Sequence, residues 1–209
     1  SKAKNFNIFD IAGNKFIDFT STIFVSNTGH SNPRIKKYIQ KSLKNNFIHS
    51  YAYIHKLREK YLKKLVKFSG NGLEKAFLMS AGTEATEAAF KLMRMYGKKQ
   101  KKRKFGIICF EGNWHGRTMA SQMMSGNKKQ SEWIGYHDKN IHHLPFPFPW
   151  KTNEKNAEKF LEVSIRNLKK KINLKKDVCG AMIETFQGWG AIFYPKKYIQ
   201  LFAKICKKN

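Results

Sequence analysis

Apolar residues recur at helical spacing twice in the first third of the chain. Ile35, Ile39 and Leu43 share one face of a helix that Pro33 opens and that runs to about Lys44. Ile54, Leu57, Tyr61, Leu65 and Phe68 repeat the pattern until Gly70 and Gly72 end it. Ahead of both, Phe6, Ile8, Phe16, Ile17 and Phe19 flank residues 10–14, and the Gly13-Asn14 pair predicts the turn of a small β-hairpin.

From Lys75 onward the pattern changes to short apolar blocks separated by helical faces. Strands are predicted at 76–79, 105–110, 141–144 and 178–184. Ala85, Ala88, Ala89, Leu92 and Tyr96 form one helical stripe between them, and Ala157, Phe160, Leu161, Ser164 and Leu168 form another. A last helix begins near Pro195 and carries Tyr198, Ile199, Phe202 and Ile205 inward. Such alternation argues for an α/β layer with a largely parallel sheet covered on both faces. No strand follows that helix, which suggests a fragment of a longer chain.

Composition narrows the function classes. The 209 residues, 41% of them hydrophobic, suffice to bury a core. The apolar runs are far shorter than the roughly 20 residues that span a bilayer. No membrane partner is therefore expected. The net charge of +27 would favour an anionic partner if it were localised, but lysines punctuate nearly every predicted helix and loop. No specific nucleic-acid binding is expected from that distribution. Cys109, Cys179 and Cys206 are widely spaced and read as buried thiols of a reducing compartment, the cytoplasm. The sequence starts at Ser1 without an initiator methionine, so a preceding targeting segment stays open.

Three motifs fall where predicted strands end. Ser80-Ala81-Gly82-Thr83-Glu84-Ala85 leaves a strand and opens a helix, which presents free amides and a positive dipole end to an anion. A phosphate site and a plain glycine turn with a threonine cap both satisfy this pattern. Trp114-His115-Gly116-Arg117-Thr118 follows the next strand. There Trp114 offers a flat face to a planar ring, or is core, and Arg117 offers a bidentate grip on a carboxylate, or a surface ion pair. Glu184 to Ala191 places a carboxylate, an amide and Trp189 after another strand. Ligands of open α/β sheets gather at such carboxyl ends, and three motifs on one rim favour a ligand site. His137, His142 and His143 lack partners at metal-ligand spacing, and no metal is expected.

Together with Phe16-Ile17-Asp18-Phe19 and Asn27-Thr28-Gly29-His30, these motifs resemble, in order and spacing, the class III or omega aminotransferases, which depend on pyridoxal 5'-phosphate (PLP). The resemblance implies the aspartate-aminotransferase-like fold: a three-layer αβα major domain with a mixed, largely parallel sheet, incomplete here at its C-terminal end. Residues 1–50 would belong to the minor domain and 51–209 to the PLP-binding domain. By position, Gly82 and Thr83 would hold the phosphate, Trp114 would stack on the pyridine ring, Arg117 would meet the substrate carboxylate, and Phe24 and Val25 would line the substrate pocket. The Schiff-base lysine and the aspartate that pairs with the pyridine nitrogen have no counterpart in the 209 residues. This chain is therefore expected to be inactive alone and to act as part of a longer homodimeric transaminase, on an amine or amino acid and a keto acid. Trp189 stands where the acetylornithine, ornithine and 4-aminobutyrate enzymes have a glutamate, which speaks against their substrates. A PLP decarboxylase or aminomutase, or a basic nucleic-acid-binding protein, are the alternatives.

Overall fold

A computed structural model describes residues 1–44, 53–70, 72–100 and 104–209, and its packing divides the chain into Ser1–Ala76 and Phe77–Asn209. The domain boundary expected between residues 50 and 51 lies outside the described residues.

In the first unit, strands β1 (Lys2–Lys4), β2 (Asn7–Phe9) and β3 (Lys15–Ile17) form an antiparallel sheet in that order. The expected hairpin is β2–β3, with Ile8 opposite Phe16. Its turn is closed by the Asp10 carboxylate, which accepts the Asn14 backbone and side-chain N–H groups, both at 2.8 Å. Helix α1 (Ser21–Phe24) is a single turn with left-handed dihedrals, φ +48° to +69°, at all four residues. It is followed by α2 (Pro33–Lys44) and α3 (Lys56–Ser69). Both helices lie where the apolar periodicity places them, yet neither buries a residue, and Ile35, Ile39, Leu57 and Phe68 stay exposed.

The second unit contains α4 (Gly82–Lys99), β4 (Gly106–Phe110), α5 (Met119–Met124), α6 (Lys128–Ser131), β5 (Ile141–Leu144), α7 (Ala157–Lys169), α8 (Leu174–Asp177), β6 (Val178–Ala181) and α9 (Lys196–Lys208). Its sheet is parallel, in the order β5-β4-β6. All five residues of β4 are buried, and the strand's period of two divides them between faces. Ile108 and Phe110 join Leu144, Leu161, Tyr198 and Phe202 under α7 and α9. Ile107 and Cys109 join Met123, Met124 and Ile141, with Phe90 and Met93 of α4 against them. This is the three-layer αβα arrangement.

Four expectations change. Residues 76–79 form no strand, because they pair with no strand among the described residues, and Phe77 is 81% exposed. The strand expected at 178–184 stops at Ala181, so Glu184 leaves the sheet. Helix α4 faces inward with Thr86, Phe90, Met93 and Gly97, while Leu92 and Tyr96 of the expected stripe point outward. Gly97 decides this, since a Cβ there would lie 2.0 Å from the Lys104 carbonyl oxygen and 2.7 Å from the Cys179 Cβ. Only a residue without a side chain allows the helix so close to the sheet. Cys109 is buried and Cys179 half-buried as expected for strand thiols, but Cys206 is exposed on α9.

Candidate active site

Strand β4 lies between β5 and β6, so the loops after β4 and β6 open on a crevice outside the carboxyl ends of the sheet, where chain order changes direction. The start of α4 meets these loops. Its first amides have no intrahelical acceptor, and Ala81 at the N-cap supplies no side-chain bond. Glu84 folds back to accept at 2.9 Å the N–H of Ser80, the residue before the N-cap. A Cβ built on Gly82 would meet nothing within 4 Å, so the backbone of this turn is open to a ligand.

Thr83 turns its hydroxyl toward the neighbouring loop. Its Oγ1 lies 2.9 Å from Thr118 Oγ1 and 3.0 Å from Ser121 Oγ. Thr118 in turn donates to Glu87 Oε1 at 2.6 Å, and the same oxygen accepts the Ala120 and Ser121 N–H groups at 2.9 and 3.0 Å, capping α5. Since Thr118 gives its hydrogen to Glu87, Thr83 is the donor in its contact with Thr118. The backbone amides of Gly82 and Thr83, rather than the Thr83 hydroxyl, are thus the ready donors for an anion.

The β4 loop meets α4 at two further points. Thr86 Oγ1 lies 2.6 Å from the His115 carbonyl oxygen. Gly116, at φ +125°, passes so close that a Cβ would lie 2.2 Å from Thr83 Oγ1. His115 is buried, donates its N–H to Ser125 Oγ at 3.1 Å, and leaves Nε2 without a hydrogen-bond partner. Burial, with the nearby His143 imidazole, pulls its pKa down to about 4.

The third motif joins the second through Glu184. Its Oε2 accepts the Trp114 N–H at 2.9 Å and its Oε1 accepts the Gly188 N–H at 3.1 Å. Burial raises the Glu184 pKa while the two N–H groups oppose the rise. Gln187 Nε2 donates to the Gly112 carbonyl at 3.2 Å, and Asn113 Nδ2 to Tyr194 Oη at 3.2 Å. The indoles of Trp114 and Trp189 meet edge to face, centroids 5.5 Å apart. The Arg117 guanidinium sits 5.2 Å over the Trp114 ring. Beside Trp189 lies a hollow of about 460 Å³ lined by Gly112, Phe148, Trp150, Gln187 and Ile192; Thr83 and Trp114 do not line it.

Gly82, Thr83, Trp114 and Arg117 are therefore brought together on one rim. Phe24 and Val25 lie in the other unit, exposed, at the end of the left-handed turn. Sequence reasoning missed the couplings rather than the strings: Glu87 lies one turn beyond Thr83, and Thr118 and Ser121 have the spacing of a helix start. The His137 and His143 rings lie 6.4 Å apart, tilted by 32°, and among the described residues no cluster of three metal-ligating side chains occurs. No helix among them is long and apolar enough to cross a membrane.

The family model described as Aminotransferase class-III matches residues 1–209. The chain is 35% identical over 217 residues to a mitochondrial acetylornithine aminotransferase of Candida glabrata, covering 100% of this chain and 47% of that protein. It is 28% identical over 211 residues to isoleucine 2-epimerase of Lentilactobacillus buchneri, covering 97% of the chain and 46% of that protein. The chain thus spans about half the length of the curated relatives it matches. An amine transaminase of an uncultivated Pseudomonas species, solved with PLP bound, superposes with a TM-score of 0.87 at 21% identity, over 100% of this chain and 49% of that one. This likeness establishes the fold.

Proposed function

The chain belongs to the class III aminotransferases, and from that premise we propose that the full-length protein is a PLP-dependent transaminase moving an amino group between an amine or amino acid and a keto acid. One observation carries the reading: the start of α4, the loop after β4 and the segment after β6 are joined into a single rim by Thr83–Thr118, Thr86–His115 and Glu184–Trp114 hydrogen bonds. A phosphate-bearing planar cofactor fits what this rim offers, namely uncapped amides beside an open glycine and a half-buried indole.

When bound, PLP supplies an electron sink beside the substrate carbon that carries nitrogen. The Gly82 and Thr83 amides, aided by the dipole of the 18-residue α4, bind the phosphate. Trp114 gives the pyridine ring a flat partner. Arg117, extended over that indole here, swings on its flexible stem to orient a substrate carboxylate. Proton transfer is assigned to no residue of this chain. Trp189, set against Trp114, favours a donor with an apolar or aromatic side chain over one with a second ionised group.

The assembly we propose is a homodimer, supported by the exposed Leu92, Met95 and Tyr96 on α4, and the compartment is the cytoplasm, supported by thiols free of disulfides. Neither nucleic acid nor membrane is a partner. The test is to add PLP to the full-length protein, follow its visible absorbance, and then supply an amine with a keto acid. Capture of PLP with amino-group transfer is expected, and capture weakened by Gly82→Ala. Failure to capture PLP overturns the reading, and capture without transfer favours the decarboxylase or aminomutase branch.

A further inference from the structure

We propose that Glu184 is the positioning residue that fixes the Trp114 ring platform, by clamping the loop of Trp114 to the loop of Trp189; the inference rests on the reading of Trp114 as the stacking residue. The clamp is one carboxylate shared between two backbone amides that belong to different loops. Oε2 takes the N–H of Trp114 itself, at 2.9 Å, and Oε1 takes that of Gly188, the residue before Trp189, at 3.1 Å. Fixing these two amides holds the backbone at Trp114 and immediately before Trp189. Their rings then meet at 5.5 Å and an interplanar angle of 77°.

Two other side-chain bonds join the segments, Gln187 to the Gly112 carbonyl and Asn113 to Tyr194, but neither takes the backbone amide of Trp114 or of Gly188. Trp189 is 62% exposed and Trp114 only half-buried, so packing alone does not hold the rings in this geometry. Charge-assisted bonds from a half-buried carboxylate are strong enough to do so. Both oxygens are needed as acceptors. A glutamine would offer one acceptor and turn an NH2 group toward the second amide, and an aspartate would fall short of one of the two.

The test uses the full-length protein and the far-ultraviolet exciton couplet that two closely set indoles produce in circular dichroism. Read without PLP, the couplet reports the clamp alone, and its loss in Trp189→Phe assigns it. Glu184→Gln is expected to abolish the couplet, as is Glu184→Asp. Glu184→Gln is also expected to weaken PLP binding on the order of tenfold, the equivalent of one charge-assisted hydrogen bond. A couplet unchanged in Glu184→Gln overturns the proposal. So does a wild-type protein without the couplet, a result that needs no variant to fold. If the couplet behaves as expected but Trp114→Ala binds PLP as tightly as wild type, the clamp stands and the stacking role of Trp114 falls.

Discussion

Acidification from about pH 7 to about pH 5 is expected to destabilise the fold around the Trp114 loop, and His115 is the group that makes it do so. The imidazole is 4% exposed, its Nε2 meets no partner, and its folded pKa is drawn down to about 4 from the ordinary 6.5. The folded value lies below the unfolded one, so the folded protein keeps His115 neutral. As pH falls through 6.5, the unfolded chain gains a proton that the folded one refuses, and stability declines until both forms are protonated near pH 4. The gap between the two values corresponds to about 3 kcal/mol in full, of which about 2 kcal/mol is lost between pH 7 and pH 5. Burial also lowers the pKa of His142 and His143, so the wild-type slope contains their share with the same sign. Urea unfolding of the full-length protein and of His115→Gln, at both pH values, separates the contributions. The variant should lose about 2 kcal/mol less than wild type on acidification. An identical loss in the two proteins would refute the assignment.

Gly116→Ala should destabilise by about 2 kcal/mol or more, because it adds a Cβ at a left-handed φ of +125° and 2.2 Å from Thr83 Oγ1; equilibrium unfolding reads this directly. Gly97→Ala should cost about 1–3 kcal/mol by lifting α4 from Lys104 and Cys179, whereas Gly82→Ala, with nothing within 4 Å of its Cβ, should leave stability nearly unchanged in the same measurement. In the N-terminal unit, hydrogen bonds from His30 and Thr20 hold the Asp18 carboxyl down to about 2. Its folded pKa lies below the unfolded 3.8, so its stabilisation is whole above about pH 4 and is lost as pH falls toward 2. A carboxyl titration by NMR should place Asp18 well below an ordinary aspartate, and His30→Ala should raise it part of the way back, the Thr20 N–H and hydroxyl still holding it down.

What the sequence discloses of this fold follows from which interactions are local. Strand β5 and the inward faces of α7 and α9 match the apolar periodicity because burial on one sheet face imposes a period that a single segment already displays. Residues 76–79 have an equally apolar pattern and yet form no strand, since a strand exists only through hydrogen bonds to a neighbour, and no such neighbour is written into the segment. Helix α4 shows how periodicity can select the wrong face. Alanines and leucine form a plausible stripe, but Gly97 determines how near the helix comes to the sheet, and with it that Phe90 and Met93 point inward. The site divides in the same way. Gly82 and Thr83 are legible because a helix begins there, and Trp114 and Glu184 because each lies in the segment that follows a strand. That Thr83 spends its hydroxyl on the β4 loop, and that one carboxylate holds Trp114 and Gly188 together, depends on contacts between residues 35 and 70 positions apart. The motifs say which residues the proposed site draws on, and these long-range bonds decide the geometry in which they are held.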